Sequence, residues 1–506
     1  MGKMLSKISN TSKVLTGILA RILFGWNKDD YTGETNTSVT SDLKLPSFFS
    51  DETLLSELRV IFNTNTLEKL SDEALIKICR QLDFWISEEK LSKEDIIQVA
   101  KMLVEQSTWY QQKDCEFKVP TRRFGKTEID MPILTCGGMR LQNTWLPDFV
   151  PVLRPNRKHV LKSPPQENIK NCIRACLKIG MNHFETARFY GTSEYQIVEA
   201  LFELMQSGEI QRSDFIFQTK IPPMNSKNFK KFWDQSWSNI GEKLGYIDLL
   251  ALHAISFADE KMDESLEICN QLKNEGKIRH IGFSTHGVTP QIMDLINTEK
   301  FEYINLHYHY FGSYHGSGTS DTQGGEGNLA CVKRALELDM GVFNISPIDK
   351  GGKLFRPSEL CASLIGKELT PIGFALLYGW KKVGFHTASI GLARPSDLDE
   401  VLYAAKMMKN DQEGLLNVDD IINGSIERLE TRSKEILGET WMQKGLLNIP
   451  NCYEECTDGI ALGHILWLHN LLTCYGMYEY CRDRYTSLVA AKWDKKKSYE
   501  ENKKNM

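Results

Sequence analysis

The sequence has too little apolar material for membrane spans: of 506 residues 41% are hydrophobic and 25% charged, a balance that fits a water-soluble globular core. No sign of charge dominates either. Sixty-one basic and 66 acidic side chains leave a formal charge of -5, which removes the electrostatic case for a nucleic-acid partner. A secretory signal is absent and the twelve cysteines show no small-domain disulfide spacing, so reduced thiols in a cytoplasmic protein are expected. No G-x-G-x-x-G follows any candidate strand, which counts against an open dinucleotide-binding sheet. The Gly/Ser-rich stretch 312–327 lacks the Lys-Ser/Thr ending of a P-loop and reads as a flexible loop.

What is present begins with a basic segment: Lys3, Lys7, Lys13, Arg21 and Lys28 precede the first acid, Asp29. Gly2 and Ser6 fit the N-myristoylation pattern, and the run from Val14 to Trp26 is too short to span a bilayer but can lie on its surface. Three readings stand side by side: an arm touching the membrane through an acylated Gly2, an organelle presequence, and a tail with no role. Residues 1–50 are therefore taken as basic segment and linker, and 51–115 as a small helical domain. In the latter Leu54, Leu55, Leu58, Ile61 and Phe62 recur at helical spacing, and Ser71 and Ser92 stand at cap positions.

From about 121 the rhythm changes to short apolar runs alternating with amphipathic segments, the pattern of repeated β-α units. Eight candidate strands fall at 133–137, 182–184, 215–219, 247–252, 278–283, 303–306, 341–345 and 388–391, with helices between them such as 194–206, 229–244, 263–275 and 329–338. Eight units favour a closed (β/α)8 barrel of the TIM type over 121–408, followed by a C-terminal helical tail over 409–506. Within that tail, 460–472 reads as a buried helix packing on the barrel.

In such a barrel the residues just after each strand crowd onto one face. Glu185 and Tyr190 follow the second strand, Lys220 ends the third and His253 ends the fourth. That set suits reduction of a carbonyl, because a hydride arriving at carbon leaves charge on oxygen that a proton donor and hydrogen bonds must meet. A tyrosine hydroxyl is a poor acid-base group near neutrality unless a neighbouring cation favours its ionised form. Lys220 can be that cation, Glu185 can hold it charged, and His253 can donate to the substrate oxygen. Taken singly, each of these residues is more commonly structural; their order across successive strands carries the reading.

Several stretches together resemble the aldo-keto reductase superfamily: His183-Phe-Glu-Thr-Ala-Arg-Phe-Tyr-Gly-Thr-Ser-Glu194, Gln218-Thr-Lys220, Asp248-Leu-Leu-Ala-Leu-His253 and Gly276-Lys-Ile-Arg-His-Ile-Gly-Phe-Ser-Thr-His286. The resemblance implies a reductase that binds NADPH, or less often NADH, and acts on a small-molecule aldehyde or ketone. It makes Tyr190 the proton donor, Lys220 its activating cation and His253 the third member. The fourth member, usually Asp, is Glu185 here, as in one subgroup of the superfamily. It also places Gly137, Gly138, Met139 and Arg140 beside the cofactor, with Ser284 and Thr285 on the nicotinamide amide. Ser346, Lys350 and Gly351 would close over the pyrophosphate, Arg394 and Ser396 would read a 2'-phosphate, and Glu400 would touch adenine.

Asn305, His307, Tyr308, His309 and Tyr310 form a polar-aromatic cluster after the sixth strand, in which Tyr308 or Tyr310 can either stack on the nicotinamide or pack. The two histidines, spaced to opposite faces of a strand, argue against a shared metal, and no metal is expected. Cys452, Cys456, Cys474 and Cys481 lack the ferredoxin-like Cys-x2-Cys-x2-Cys-x3-Cys run that ends related bacterial reductases. The alternative to an enzyme is a cofactor-binding regulatory or scaffold protein with little turnover.

Overall fold

The computed structural model describes residues 117–146, 153–287, 289–311, 328–348, 358–438 and 462–488, together with Glu57, Leu58, Val60, Ile61, Ile97, Ala100 and Lys101, which are helical. The basic segment with Gly2, the linker, the stretch 312–327, Lys350, Gly351, Cys452 and Cys456 lie outside the described residues, as does the side chain of Ser396. The chain forms two compact units: residues 1–117 with Ser396–Tyr403, and 118–395 with 404–506. In the first, Leu58 and Ala100 are fully buried.

The second unit is a closed barrel. A hairpin of β1 (Thr121–Arg123) and β2 (Asp130–Pro132) precedes eight barrel strands. These are β3 (Leu134–Gly137), β4 (His183–Glu185), β5 (Ile216–Ile221), β6 (Ile247–Leu252), β7 (Ile278–Ser284), β8 (Tyr303–Leu306), β9 (Gly341–Asn344) and β10 (Thr387–Gly391). They pair in the order β3-β4-β5-β6-β7-β8-β9-β10, and β10 closes on β3 in parallel, with Ala388 opposite Leu134 and Gly391 opposite Gly137. The eight strands expected from sequence are all present, within a residue or two at their ends.

The helices on the outer side are α1 (Arg157–Leu161), α2 (Pro164–Lys178), α3 (Ser193–Gln206), α4 (Ser226–Leu244), α5 (Glu260–Asn274), α6 (Thr289–Asn297), α7 (Asn328–Glu337), α8 (Glu359–Ile365), α9 (Pro371–Tyr378) and α10 (Asp399–Gln412). Their starts are written locally. Asn225, Asp259 and Thr370 each accept a hydrogen bond from the backbone N–H three residues on, at the starts of α4, α5 and α9, which satisfies a donor the helix itself leaves open. Among the described residues no helix is long and apolar enough to cross a membrane.

The hairpin was not expected from sequence. It plugs the bottom of the barrel: Phe124 and Met131 join Leu249, Ala251, Tyr303 and Phe343 in one buried cluster. Its turn requires Gly125, which sits at φ 53°, where a Cβ would lie 2.4 Å from the Asp339 carbonyl oxygen. At the other end of the chain come α11 (Val418–Leu437), α12 (Leu462–Tyr475) and α13 (Tyr478–Leu488). The Trp467 indole N–H donates to the Phe311 carbonyl at 3.0 Å, and Leu471, Cys474 and Tyr475 are fully buried, so α12 packs on the barrel.

Candidate active site

Alternation along each strand decides which side chains look into the barrel. On β4, His183 and Glu185 face inward, and on β5, Gln218 and Lys220 do. Glu185 and Lys220 thus meet near the C-terminal ends of neighbouring strands, both nearly fully buried, with the ammonium in direct contact with the carboxylate. The same ammonium donates to the Thr186 carbonyl at 3.0 Å and lies 3.5 Å from the Tyr190 hydroxyl. His253, just past the end of β6, presents its ring edge-on to Tyr190, with centroids 5.5 Å apart. Tyr190 and His253 are half-buried, open to an incoming molecule, whereas Lys220 and Glu185 are not.

The loop that carries Tyr190 is held on both sides. The Thr186 and Arg188 backbone N–H groups donate to the carbonyls of Gln218 and Lys220, at 2.8 and 2.9 Å, which extends the β4–β5 pairing past the end of β4. Gly191, at φ 54°, lets the segment after β3 approach closely, since a Cβ there would lie 2.1 Å from the Thr144 carbonyl oxygen. Thr144 and Asn143 are tied back by backbone N–H bonds to the Thr192 hydroxyl.

Burial pulls the Lys220 ammonium well below its ordinary value. The Glu185 carboxylate in contact with it works in the opposite direction, because an adjacent opposite charge favours the ionised form. The floor beneath this pair is polar. The Nδ1 atom of His183 lies 2.8 Å from the Thr135 hydroxyl, which lies 2.8 Å from the Thr387 hydroxyl. Burial, reinforced by the nearby Lys220 charge, holds His183 down to about 3, so it is neutral here.

Five more strand ends complete the face. Ser284, at the end of β7, accepts from the Ala254 N–H at 3.0 Å and keeps its own hydroxyl proton free to donate. Ala254 adopts φ 55°, an unusual backbone state for a residue with a Cβ, directly after His253. The Thr285 hydroxyl donates to the Ile255 carbonyl at 2.7 Å and accepts from the Gly287 N–H at 3.0 Å, so its one proton is already committed to the loop. Asn305, opposite Ser284 in the β7–β8 register, is fully buried with no protein partner for either end of its amide. Those orphaned groups are complementary to a carboxamide, an acceptor and a donor side by side.

Gly137 and Gly138 are packed closely by their neighbours. A Cβ would lie 2.5 Å from the Ser389 hydroxyl at the first and 2.6 Å from the Glu185 carbonyl oxygen at the second, so close strand packing already excludes one. Met139 is half-buried, and Arg140 is exposed beside the end of β10, its Cγ 3.1 Å from where a Cβ on Gly391 would sit. Arg394, also exposed, follows β10, while Glu400 is buried in the first turn of α10. Ser346 follows β9 at φ 56°.

One further expectation changes. The rings of His307 and His309 are not on opposite faces but 5.1 Å apart, because β8 ends at Leu306 and strand alternation stops there. Even so, no group of three or more metal-ligating side chains converges among the described residues. Tyr310 packs against Phe311, Phe374 and Tyr378, with centroids 5.2 to 5.3 Å apart.

Fold and site together define an enzyme of the (β/α)8 class with its polar centre at the C-terminal ends of the strands. Residues 134–351 match the model of the aldo/keto reductase family, so the barrel carries an aldo/keto reductase domain and the protein is an oxidoreductase. Among curated proteins it is similar to L-galactose dehydrogenase of Arabidopsis thaliana, 25% identical over 283 residues that cover 49% of this chain and 82% of the relative. It is also similar to an uncharacterized oxidoreductase of Bacillus subtilis, 31% identical over 121 residues, 22% of this chain and 37% of the relative. Similar solved structures include the holo form of an aldo-keto reductase of Bacillus halodurans, at 18% identity and TM-score 0.46, covering 61% of this chain and 96% of the other. Another is a Bombyx mori aldo-keto reductase in complex with NADP, at 17% identity and TM-score 0.41, covering 61% and 93%.

Proposed function

We propose that the protein reduces an aldehyde or ketone to the alcohol with NADPH, NADH being the less favoured donor, and that Tyr190 supplies the proton. The observation that carries this reading is the Tyr190 hydroxyl held 3.5 Å from a buried ammonium that Glu185 and the Thr186 carbonyl fix in place. The reduced nicotinamide, when bound, supplies the hydride that goes to the carbonyl carbon. The Tyr190 O–H proton passes to the carbonyl oxygen, and Lys220 stabilises the tyrosinate left behind. His253, beside Tyr190 on the open side, donates to the same oxygen and orients the carbonyl.

The orphaned amide of Asn305 and the free proton of Ser284 fit the carboxamide of a nicotinamide. Exposed Arg140 and Arg394, placed after β3 and β10, suit the phosphates, and a 2'-phosphate in particular, which favours NADPH. The convergence of the proton donor, its cation and its anion favours turnover over a scaffold that only holds a nucleotide. The Arabidopsis relative is named for the reverse direction, dehydrogenation of L-galactose. The same groups serve that direction, with tyrosinate as the base, so a sugar belongs in any substrate panel.

The deciding experiment is NADPH oxidation at neutral pH with a panel of aldehydes and ketones, and NADP reduction with sugars, for the parent and Tyr190→Phe. Turnover that falls at least a hundredfold in the variant while NADPH binding survives is the expected result, from the usual weight of a general acid. Equal rates for parent and variant would remove Tyr190 from its role.

A further inference from the structure

Behind the reacting face lies a second buried carboxylate that the proton-transfer scheme does not use. Glu194, in the first turn of α3, is 1% exposed, and on it converge three donors from two other elements. Thr219 of β5 donates through its hydroxyl at 2.7 Å, Ser236 of α4 at 3.0 Å and the Asn239 amide of α4 at 3.1 Å. The guanidinium of Arg188, 3% exposed, lies 3.9 Å from the same carboxylate.

The placement of these partners is specific. Thr219 is the neighbour of Lys220 in sequence, so alternation turns its side chain out of the barrel when that of Lys220 turns in. Arg188 lies two residues before Tyr190, and its backbone N–H donates to the Lys220 carbonyl at 2.9 Å. One carboxylate therefore grips, from behind, both the strand that carries the ammonium and the loop that carries the tyrosine.

We propose that Glu194, through Thr219 and Arg188, is a positioning residue that sets the spacing between the Lys220 ammonium and the Tyr190 hydroxyl. This rests on the reading of Tyr190 as proton donor. The ammonium favours the tyrosinate in proportion to its proximity, and at 3.5 Å a displacement of a few tenths of an ångström alters both that preference and the rate. Ser236 bonds to the same carboxylate oxygen as Thr219 but comes from α4, away from Lys220. It is therefore the natural control.

The experiment compares Thr219→Val with Ser236→Ala in the full-length protein. Each removes one hydrogen bond to Glu194 Oε2, so both lose stability to a similar extent. Tyr190 ionisation is read by ultraviolet difference titration of each protein against its own Tyr190→Phe partner, which needs no turnover; kcat and KM for NADPH are read beside it. Thr219→Val is expected to raise the pH of Tyr190 ionisation by roughly half a unit or more and to lower kcat about tenfold with KM little changed, while Ser236→Ala moves neither. Equal shifts in both variants, or none in either, would overturn the positioning role and leave Glu194 a packing anchor. If no carbonyl or sugar is turned over yet the two titrations separate as expected, the reductase reading fails and the positioning stands.

Discussion

At the scale of single residues, the contact between Lys220 and Glu185 is a costly arrangement. Both groups are nearly fully buried, and two ions taken out of water are tolerated only when each satisfies the other and the remaining donors find acceptors. Lys220 finds one in the Thr186 carbonyl. Replacing Glu185 by Gln keeps the shape and removes the counter-charge, leaving the ammonium either charged and unpaired or neutral. We expect a loss of about 3 kcal/mol in urea unfolding at neutral pH and a fall in kcat of tenfold or more, with NADPH binding spared. A variant as stable and as active as the parent would show that the carboxylate does not hold Lys220. Asn305 makes the complementary point: a buried amide with no protein partner is a cost that a bound ligand can offset.

At the scale of elements, strands β4 and β5 and the loop between β4 and α3 act as one part. Backbone bonds from Thr186 and Arg188 continue the β4–β5 ladder beyond the end of the strand, so the tyrosine rides on an extension of the sheet rather than on a free loop. At the opposite end the β1–β2 hairpin closes the barrel floor, and its turn depends on a residue without a side chain. Gly125→Ala puts a Cβ 2.4 Å from the Asp339 carbonyl oxygen and 2.5 Å from the Gly341 nitrogen, backbone atoms that cannot step aside cheaply, in a left-handed conformation. We expect the substitution to cost at least about 2 kcal/mol. A thermal midpoint unchanged from the parent would mean that the hairpin does not seat as described.

At the scale of the whole molecule, buried neutral histidines make stability depend on pH. Burial holds His183 down to about 3 and His386 to about 4, against an ordinary value near 6.5 for an exposed imidazole. Between those limits the unfolded chain binds protons that the folded chain refuses. Their contribution is therefore complete above about pH 6.5 and drains away as the pH falls toward 3 to 4. Glu302 adds to the trend lower down. It is held at about 2 by hydrogen bonds from His280, Lys273 and the Ile281 N–H against the cost of its own burial, so its contribution fades below the ordinary carboxylate range. Urea midpoints should fall steadily from pH 7 to 5, and His183→Gln should flatten part of that slope. A midpoint independent of pH over this interval would show that the histidines do not stay neutral in the fold.

Much of this was legible in the sequence because it is local or periodic. Eight apolar runs separated by amphipathic segments announce eight β-α units whatever their partners, and the positions of Glu185, Lys220 and His253 at strand ends follow from counting along each unit. The hairpin was not legible, since Thr121–Arg123 and Asp130–Pro132 are three-residue strands whose apolar positions make sense only under a barrel floor. Nor was the proximity of His307 and His309, which depends on where β8 stops. The close packing around the glycines at 137 and 138 was not legible either, because what a Cβ would strike is set by residues distant in sequence. The commitment of the Thr285 hydroxyl to Ile255 and the convergence of Thr219, Ser236, Asn239 and Arg188 on Glu194 are likewise products of packing. The sequence by itself determined the repeating units and the chemical groups at their ends. Only the closed barrel decided which groups meet, because a hydrogen bond is a matter of ångströms between strands and helices that the chain order leaves tens of residues apart.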